Sequence, residues 1–303
     1  MRIITDLTHF YTEENTALAI GKFDGLHLGH EYLLDALRAK KAEGLLSAAF
    51  TFRTPPLREG QKVLTTNPEK EELFCRAGID LLIECNFTRE IREMEPLTFL
   101  TLLKEHLHAR CIAAGLDCTF GRNRAGNVET LRALGKELSY EAVIVQKKQY
   151  HGQDISSTLI RGCVENADME TAEKLLGYPY FVTGSIVRGN RIGHEIHIPT
   201  MNVIPPAEKL LPPKGVYVSE SVIEGKRYRG ITNIGIKPTI PGERTVSMET
   251  HLFDFDRETY DETVRTELPS FLRPEKTFAD IAALTEQIRT DIRRAKECFS
   301  GRL

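Results

Sequence analysis

The run Gly21-Lys22-Phe23-Asp24-Gly25-Leu26-His27-Leu28-Gly29-His30 holds the densest chemistry in the chain. Its three glycines let backbone approach a ligand closely or take positive φ. The run passes into a predicted helix N-terminus, where free N–H groups and the helix dipole favour phosphate. His27 and His30, three positions apart, can both point into one site from the first turn. Imidazoles there can donate hydrogen bonds to a phosphoryl group as it gains charge, with no covalent intermediate. Gly21, Phe23, Asp24, Gly25 and Gly29 are therefore candidate phosphate-loop residues, and His27 and His30 candidate catalytic ones. A plain glycine-rich turn with two incidental histidines would need seven specified positions to coincide by chance, well under ~1 in a million at average residue frequencies.

A second run, Ser156-Ser157-Thr158-Leu159-Ile160-Arg161, places three hydroxyls before a predicted helix and an arginine in its first turn. Hydroxyls cap helix N–H groups, and an arginine there can bind triphosphate oxygens. Taken alone, this run reads more readily as ordinary helix capping.

The elements that must position these residues alternate in type. Leu18-Ala19-Ile20 is an apolar run stopping at Gly21, and a helix follows with Leu33, Leu34 and Leu37 on one face and Gly44 as its stop. Residues 45–52 read as a buried strand, and Asn67 before Pro68 as the cap and first turn of a helix ending near Gly78. Strand 79–85, helix 96–110, strand 111–115, helix 129–138 and strand 142–145 follow. This alternation predicts a doubly wound parallel sheet, which binds ligands outside the carboxyl ends of its strands. That rule points to the loop after Ile20. Past residue 180, segments 180–187, 215–222, 226–233 and 245–255 are β-rich and separated by Gly and Pro turns, predicting an antiparallel barrel or sandwich. A last helix is expected from about Thr277 with Asp280 as capping-box partner, packing Ile281, Leu284, Ile288 and Ile292 on the β domain. The short helices in 157–176 are read as the connection, giving domains 1–179 and 180–303.

Composition bounds the rest. The 303 residues, 41% hydrophobic and 27% charged with 14 Pro and 22 Gly, describe an ordinary globular chain long enough for two domains. Forty basic against 43 acidic residues leave a net charge of −3, which provides no global attraction to nucleic acid or an anionic membrane. No signal peptide is expected from the opening residues, and no run of about 18 apolar residues suggests a membrane span. Six irregularly spaced cysteines without a C-x-x-C pair predict reduced thiols and a cytoplasmic location.

The first run resembles the G-x-F-D-G-x-H-x-G-H motif of the H-x-G-H nucleotidyltransferase superfamily, whose members transfer a nucleotidyl group from a nucleoside triphosphate and release pyrophosphate. With it, Ile155-Ser156-Ser157-Thr158-Leu159-Ile160-Arg161 resembles the I-S-S-T-x-I-R of the flavin adenylyltransferase module of bifunctional riboflavin kinase/FAD synthetases. The likeness extends to Thr51-Phe52 with Pro56, to Leu64-Thr65-Thr66 with Glu69-Lys70, and to Gly115, Asp117, Phe120, Gly121, Arg124 and Gly126. In the second half, Pro199-Thr200-Met201-Asn202, Asn233-Ile234-Gly235 with Pro238-Thr239, Glu249 to Phe255, and Leu272-Arg273-Pro274-Glu275 are similar to riboflavin kinase motifs in the same order.

The resemblance implies a nucleotidyltransferase domain followed by a six-stranded antiparallel barrel with a C-terminal helix. It implies phosphorylation of riboflavin to FMN with ATP, then adenylylation of FMN to FAD. In the kinase step Thr200 and Asn202 would hold Mg²⁺ (or Mn²⁺) and Glu249 would be the base, sharing a strand face with His251 and Phe253. In the transferase step His27 and His30 would act on the α-phosphoryl group, with Ser156, Ser157, Thr158 and Arg161 on the triphosphate. Gly189 would also bind ATP. Phe52, Pro56, Asp117, Phe120, Gly121, Arg124, Asn127, Arg273 and Glu275 would bind flavin. The partners expected are the small molecules riboflavin, FMN and ATP, with a monomer or weak homo-oligomer. Four departures stand out: Thr54 for a proline, Cys118 for an aromatic residue, His194 for an arginine and His197 for a glycine. Rival readings are a chain with one active module, an adenylyltransferase for another phosphate acceptor, and a flavin-binding regulatory protein.

Overall fold

The computed structural model describes residues 1–5, 11–53, 60–187, 198–240, 243–255, 257 and 262–301. Pro56 and Gly189, and the departures at Thr54, His194 and His197, lie outside them. The chain forms two compact units, Met1–Ser157 and Thr158–Leu303. The division falls earlier than the change of sequence texture near residue 180. Helix α7 (Met169–Leu176) counts with the second unit, its Glu170 accepting from the Ser270 hydroxyl and its Met169, Ala172 and Leu175 fully buried.

The first unit is a parallel sheet of β1 (Arg2–Ile4), β2 (Thr16–Ile20), β3 (Leu46–Phe52), β4 (Leu81–Cys85), β5 (Ala109–Gly115) and β6 (Glu141–Val145), in the order β1-β4-β3-β2-β5-β6. Helices α1 (Leu28–Lys40), α2 (Asn67–Arg76), α3 (Arg89–Glu93), α4 (Pro96–Leu107) and α5 (Val128–Glu137) connect the strands. A short hairpin, β7 (Gln149–Tyr150) and β8 (Gln153–Asp154), follows β6. All five residues of β2 are buried, as in strands covered on both faces. Leu18 and Ile20 join the cluster containing Phe99, Leu100, Leu103 and Leu107 of α4, while by alternation Ala17 and Ala19 face the other way. From β2 the chain winds one way through β3 and β4, then returns to β2's other side for β5 and β6. The switch point therefore lies at the carboxyl ends of β2 and β5.

Element ends differ from expectation where a polar side chain decides them. Thr66, not Asn67, is the N-cap of α2, with its N–H donating to Glu69 Oε2 at 2.9 Å, and Asn67 is the first helical residue. Helix α4 stops at Leu107 because His108 turns left-handed (φ 46°), which frees Ala109 to open β5.

The second unit begins within α6 (Ser157–Glu165) and continues through α7 to six antiparallel strands. These are β9 (Phe181–Val187), β10 (Met201–Ile204), β11 (Gly215–Ile223), β12 (Lys226–Ile240), β13 (Glu243–Leu252) and β14 (Thr263–Pro274). They close into a barrel ordered β10-β13-β12-β11-β14-β9, with β9 paired back to β10. Glu224 and Gly225, both at positive φ, make the two-residue turn between β11 and β12. Inside, Thr232 meets Thr250 at 2.8 Å and Ser221 meets Thr266 at 3.0 Å. Outside, Val216, Val218, Ile231, Phe253 and Leu272 pack with Ala295 and Phe299 of helix α8 (Ile281–Ser300).

Helix α8 starts at Ile281, later than expected, because Asp280 is itself the N-cap and accepts the Ala283 N–H at 2.8 Å. Ile281 is exposed, and the buried face carries Asp291, Ala295 and Phe299 with Ile288 and Ile292 partly covered. A buried aspartate interrupts the apolar stripe that the spacing suggested.

Candidate functional sites

The first site is the loop between β2 and α1. Gly21 N–H donates to Phe50 O at 3.1 Å, extending the β2–β3 pairing by one residue. The chain then turns through positive φ at Phe23 (48°), Gly25 (86°) and Leu26 (34°). This conformation costs non-glycine residues energy and persists only when surroundings enforce it. Here Phe23 is fully buried, its ring 5.2 Å from Phe74 and 5.1 Å from His30. Asp24, also buried, accepts the Leu64 N–H at 2.9 Å and the Thr65 N–H at 3.1 Å, and Gly25 N–H donates to Thr65 Oγ1 at 3.1 Å. Ser157 Oγ donates to Asp24 O at 2.8 Å. Asp24 and Ser157 thus shape the loop, and the Ser157 hydroxyl hydrogen is committed to it.

The two histidines come together. Their rings stack with centroids 3.8 Å apart and planes 22° from parallel. His27 caps α1, its Nδ1 accepting the Gly29 N–H at 3.1 Å, so the neutral ring carries its proton on Nε2. A Cβ on Gly29 would lie 2.9 Å from the His27 ring and 3.0 Å from Ile155 O, so only glycine fits there. Burial pulls His27 down to about 4 and holds His30 well below the usual histidine range, His27 adding to the effect on His30. Both rings are neutral at pH 7. His30 Nδ1 is buried and makes no hydrogen bond among the described residues.

The expected flavin residues divide. Phe52 is half-buried, edge-on to Phe87 at 4.8 Å and Phe50 at 5.7 Å. Phe120 belongs to the core beside Phe99, and Gly121 (φ 71°) passes so close to Pro96 that a Cβ would fall 2.8 Å from its Cγ. Asn127 caps α5, accepting the Thr130 N–H at 3.0 Å, and Arg124 is exposed. Cys118 packs against the core, and burial pushes its thiol up to about 11. Asp117 is exposed and 3.1 Å from Lys147, which also lies 3.4 Å from Asp154. This cluster, with Leu116, Gln146 and Gln149, lines an open cavity of about 380 Å³ at the carboxyl ends of β5 and β6. Nothing local in the sequence marks Lys147 as the partner of Asp117 and Asp154. Ser156 precedes α6, and Thr158 and Arg161 stand in the first turns of that helix, within the second unit.

The second site is a row across the barrel. Register pairs Asn202 of β10 with Glu249 of β13, and Glu249 with Asn233 of β12. Directly opposed residues share a face, and Met248 and Thr250, fully buried, take the interior. The row therefore lies on the outer face. Thr200 sits immediately before β10. His251 Nδ1 is 2.9 Å from Pro199 O, tying that segment to β13; burial holds His251 below its usual range, and Lys296 acts in the same sense. Gly235 follows Asn233 by two positions, and a Cβ there would lie 2.6 Å from Glu275 Oε1 and 3.3 Å from Asn233 Nδ2, so its absence admits the Glu275 carboxylate. In the sequence Asn233 stands only within a turn motif; strand period is the signal that places it beside Glu249. Arg273 has an internal partner instead, a two-pronged pair with Asp291 of α8 at 2.7–3.0 Å, and is 9% exposed.

A parallel sheet with a two-histidine glycine loop at its switch point, joined to a closed barrel with an amide–carboxylate row, defines a two-module protein built to handle phosphate esters. Comparison makes this specific. A family model described as FAD synthetase matches residues 10–159, and one described as riboflavin kinase matches residues 176–299. The bifunctional riboflavin kinase/FMN adenylyltransferase of Bacillus subtilis is 33% identical over 311 residues, covering 98% of both chains. The protein of the same description from Escherichia coli K12 is 32% identical over 295 residues, covering 95% of this chain and 94% of its own. A crystal structure described as a macrolide-efflux protein from Streptococcus pneumoniae matches with a TM-score of 0.84 at 27% identity, over 95% of this chain and 96% of that one. Among the described residues no helix is long and apolar enough to cross a membrane. The chain belongs to the bifunctional riboflavin kinase/FMN adenylyltransferase family.

Proposed function

We propose that the chain carries out two consecutive ATP-dependent steps, riboflavin to FMN in the second unit and FMN to FAD in the first. In the kinase step Glu249 takes the proton of the ribityl hydroxyl as its oxygen bonds to the γ-phosphorus of ATP and ADP leaves. Thr200 and Asn202 offer hard oxygen donors of the kind Mg²⁺ (or Mn²⁺) accepts alongside water and phosphate, and such an ion would offset charge on the phosphoryl oxygens. Register placing Asn202 next to Glu249 supports this pairing of roles.

In the transferase step an FMN phosphate oxygen bonds to the α-phosphorus of a second ATP, and pyrophosphate leaves. Neutral His27 and His30 donate hydrogen bonds to the oxygens that gain charge. Arg161, Ser156 and Thr158 hold the triphosphate, while Gly21, Phe23, Asp24, Gly25, Gly29 and Ser157 shape the loop. Phe52, Asp117, Gly121 and Arg124 border the FMN acceptor. The reading extends to a cytoplasmic enzyme, monomeric or weakly self-associating, whose partners are these small molecules.

The observation that carries the transferase assignment is the stacked, neutral histidine pair in the loop at the switch point. The test is to incubate the chain with riboflavin, ATP and Mg²⁺ and resolve FMN, FAD, ADP and pyrophosphate with time. His30→Ala abolishes FAD and spares FMN; Glu249→Ala abolishes FMN yet still converts supplied FMN to FAD. A variant that loses both reactions equally overturns the assignment of separate sites.

A further inference from the structure

Lys70 on α2 and Glu84 on β4 form a buried ion pair that neither proposed reaction uses. Lys70 is 1% exposed and Glu84 0%. Lys70 Nζ lies 3.1 Å from Glu84 Oε1 and donates a 2.7 Å hydrogen bond to the carbonyl oxygen of Phe52, the last residue of β3. Among the described residues no donor besides Lys70 serves the Glu84 carboxylate. One residue on, Arg53 N–H donates to Cys85 O at 2.8 Å. The single peptide unit joining Phe52 to Arg53 is thus held at both of its polar groups, its carbonyl by the Lys70 side chain and its N–H by the Cys85 carbonyl.

Burial opposes both charges: desolvation lowers the Lys70 ammonium and raises the Glu84 carboxyl, against their mutual attraction. Such a pair is a weak source of stability, and apolar side chains of similar volume commonly serve as well or better. What apolar side chains cannot supply is a fixed donor for the Phe52 carbonyl. Lys70 also feels the charge of Asp24, the residue that ties the histidine loop to Leu64 and Thr65. The Lys70 ammonium sits at the strand end beside Phe52, bonded to its carbonyl and paired with Glu84.

We propose that Lys70, neutralised by Glu84, is a positioning residue of adenylyl transfer, fixing the Phe52 peptide and through it the binding of the FMN acceptor rather than of ATP. The inference rests on the reading of Phe52 as a border of that acceptor.

The test compares the full wild-type chain with K70M/E84L, which keeps volume without charge, and with E84Q, which keeps a polar partner for Lys70. In K70M/E84L the KM for FMN rises about tenfold, the KM for ATP stays within about twofold, and the melting temperature does not fall. E84Q stays within about threefold of wild type for FMN, and riboflavin phosphorylation is unchanged in both variants. Hydrogen–deuterium exchange in peptides covering the end of β3 speeds up in K70M/E84L alone. A wild-type KM for FMN in K70M/E84L, or equal rises for FMN and ATP, overturns the proposal. Should K70M/E84L not fold, a KM for FMN raised about tenfold in E84Q, which retains the Lys70–Phe52 bond, overturns it equally. The exchange measurement needs no turnover, so unchanged exchange overturns it even if wild type forms no FAD, a result that sinks the reading of the site instead.

Discussion

Burial keeps the His27 and His30 rings uncharged, the state in which the proposed adenylyl transfer would use them as hydrogen-bond donors. Two imidazolium ions at a 3.8 Å stacking distance would repel, and burial keeps both rings neutral. The same burial has a stability consequence. Folded His27 takes its proton near pH 4, whereas unfolded it does so near 6.5, so between these values the unfolded chain binds more protons. Stability of the first unit therefore falls as pH drops from about 6.5 toward 4, by up to about 3 kcal/mol from this residue, and is indifferent to it above 7. Denaturant unfolding followed at about pH 7, 5.5 and 4.5 measures that slope. His27→Asn lessens the slope, leaving the part that His30 contributes, while keeping an acceptor for the Gly29 N–H; an unaltered slope rejects a buried neutral His27. These residues were legible in the sequence because their partners are neighbours in the chain. Asp24 was legible only as a member of the loop, since its grip on Leu64 and Thr65 spans 40 residues or more.

Among the elements, α8 shows how a buried polar pair can outweigh an apolar pattern. Its Asp291 receives the Arg273 guanidinium from β14, beside the packing of Ala295 and Phe299 on the barrel. Arg273→Ala leaves the Asp291 charge buried without that partner, and the barrel unit should lose about 3–5 kcal/mol. Replacing both, as R273M/D291L, should cost far less; urea unfolding of the two variants, followed in the barrel transition, makes the comparison. Equal losses would mean that the pair is not the bond that matters. The strands and most helices were readable from period and punctuation. What escaped were the boundaries decided by Thr66, His108 and Asp280, and the partner of Arg273, because a cap or a buried ion pair leaves no periodic trace.

At the scale of the whole molecule, the order of the motifs along the chain carried the two-module organisation, which the matches to residues 10–159 and 176–299 bear out at the level of family. The division at Ser157 was not legible, since α7's attachment to β14 depends on contacts about 100 residues apart. The proposed assignment of separate sites makes a mixing experiment decisive. His30→Ala supplies FMN and Glu249→Ala consumes it, so two variants that each fail to make FAD from riboflavin alone should make it when combined in one tube. A mixture that accumulates FMN without FAD would mean that FMN made by one chain does not reach another. The near-balanced charge suits this exchange, because small anionic ligands are held by local groups rather than by a global field.

The loop of residues 21–26 has a consequence for when the enzyme becomes an enzyme. Its left-handed Phe23 and Leu26 are unfavourable in isolation, and what compels them is a carboxylate gripped by Leu64 and Thr65, a ring enclosed by α2, and a hydroxyl from Ser157. Those anchors come from sequence positions spread over more than half of the chain's first unit. The loop's shape thus depends on contacts that exist only once distant segments of the first unit have come together, so the proposed phosphate site cannot be carried by residues 21–30 in isolation.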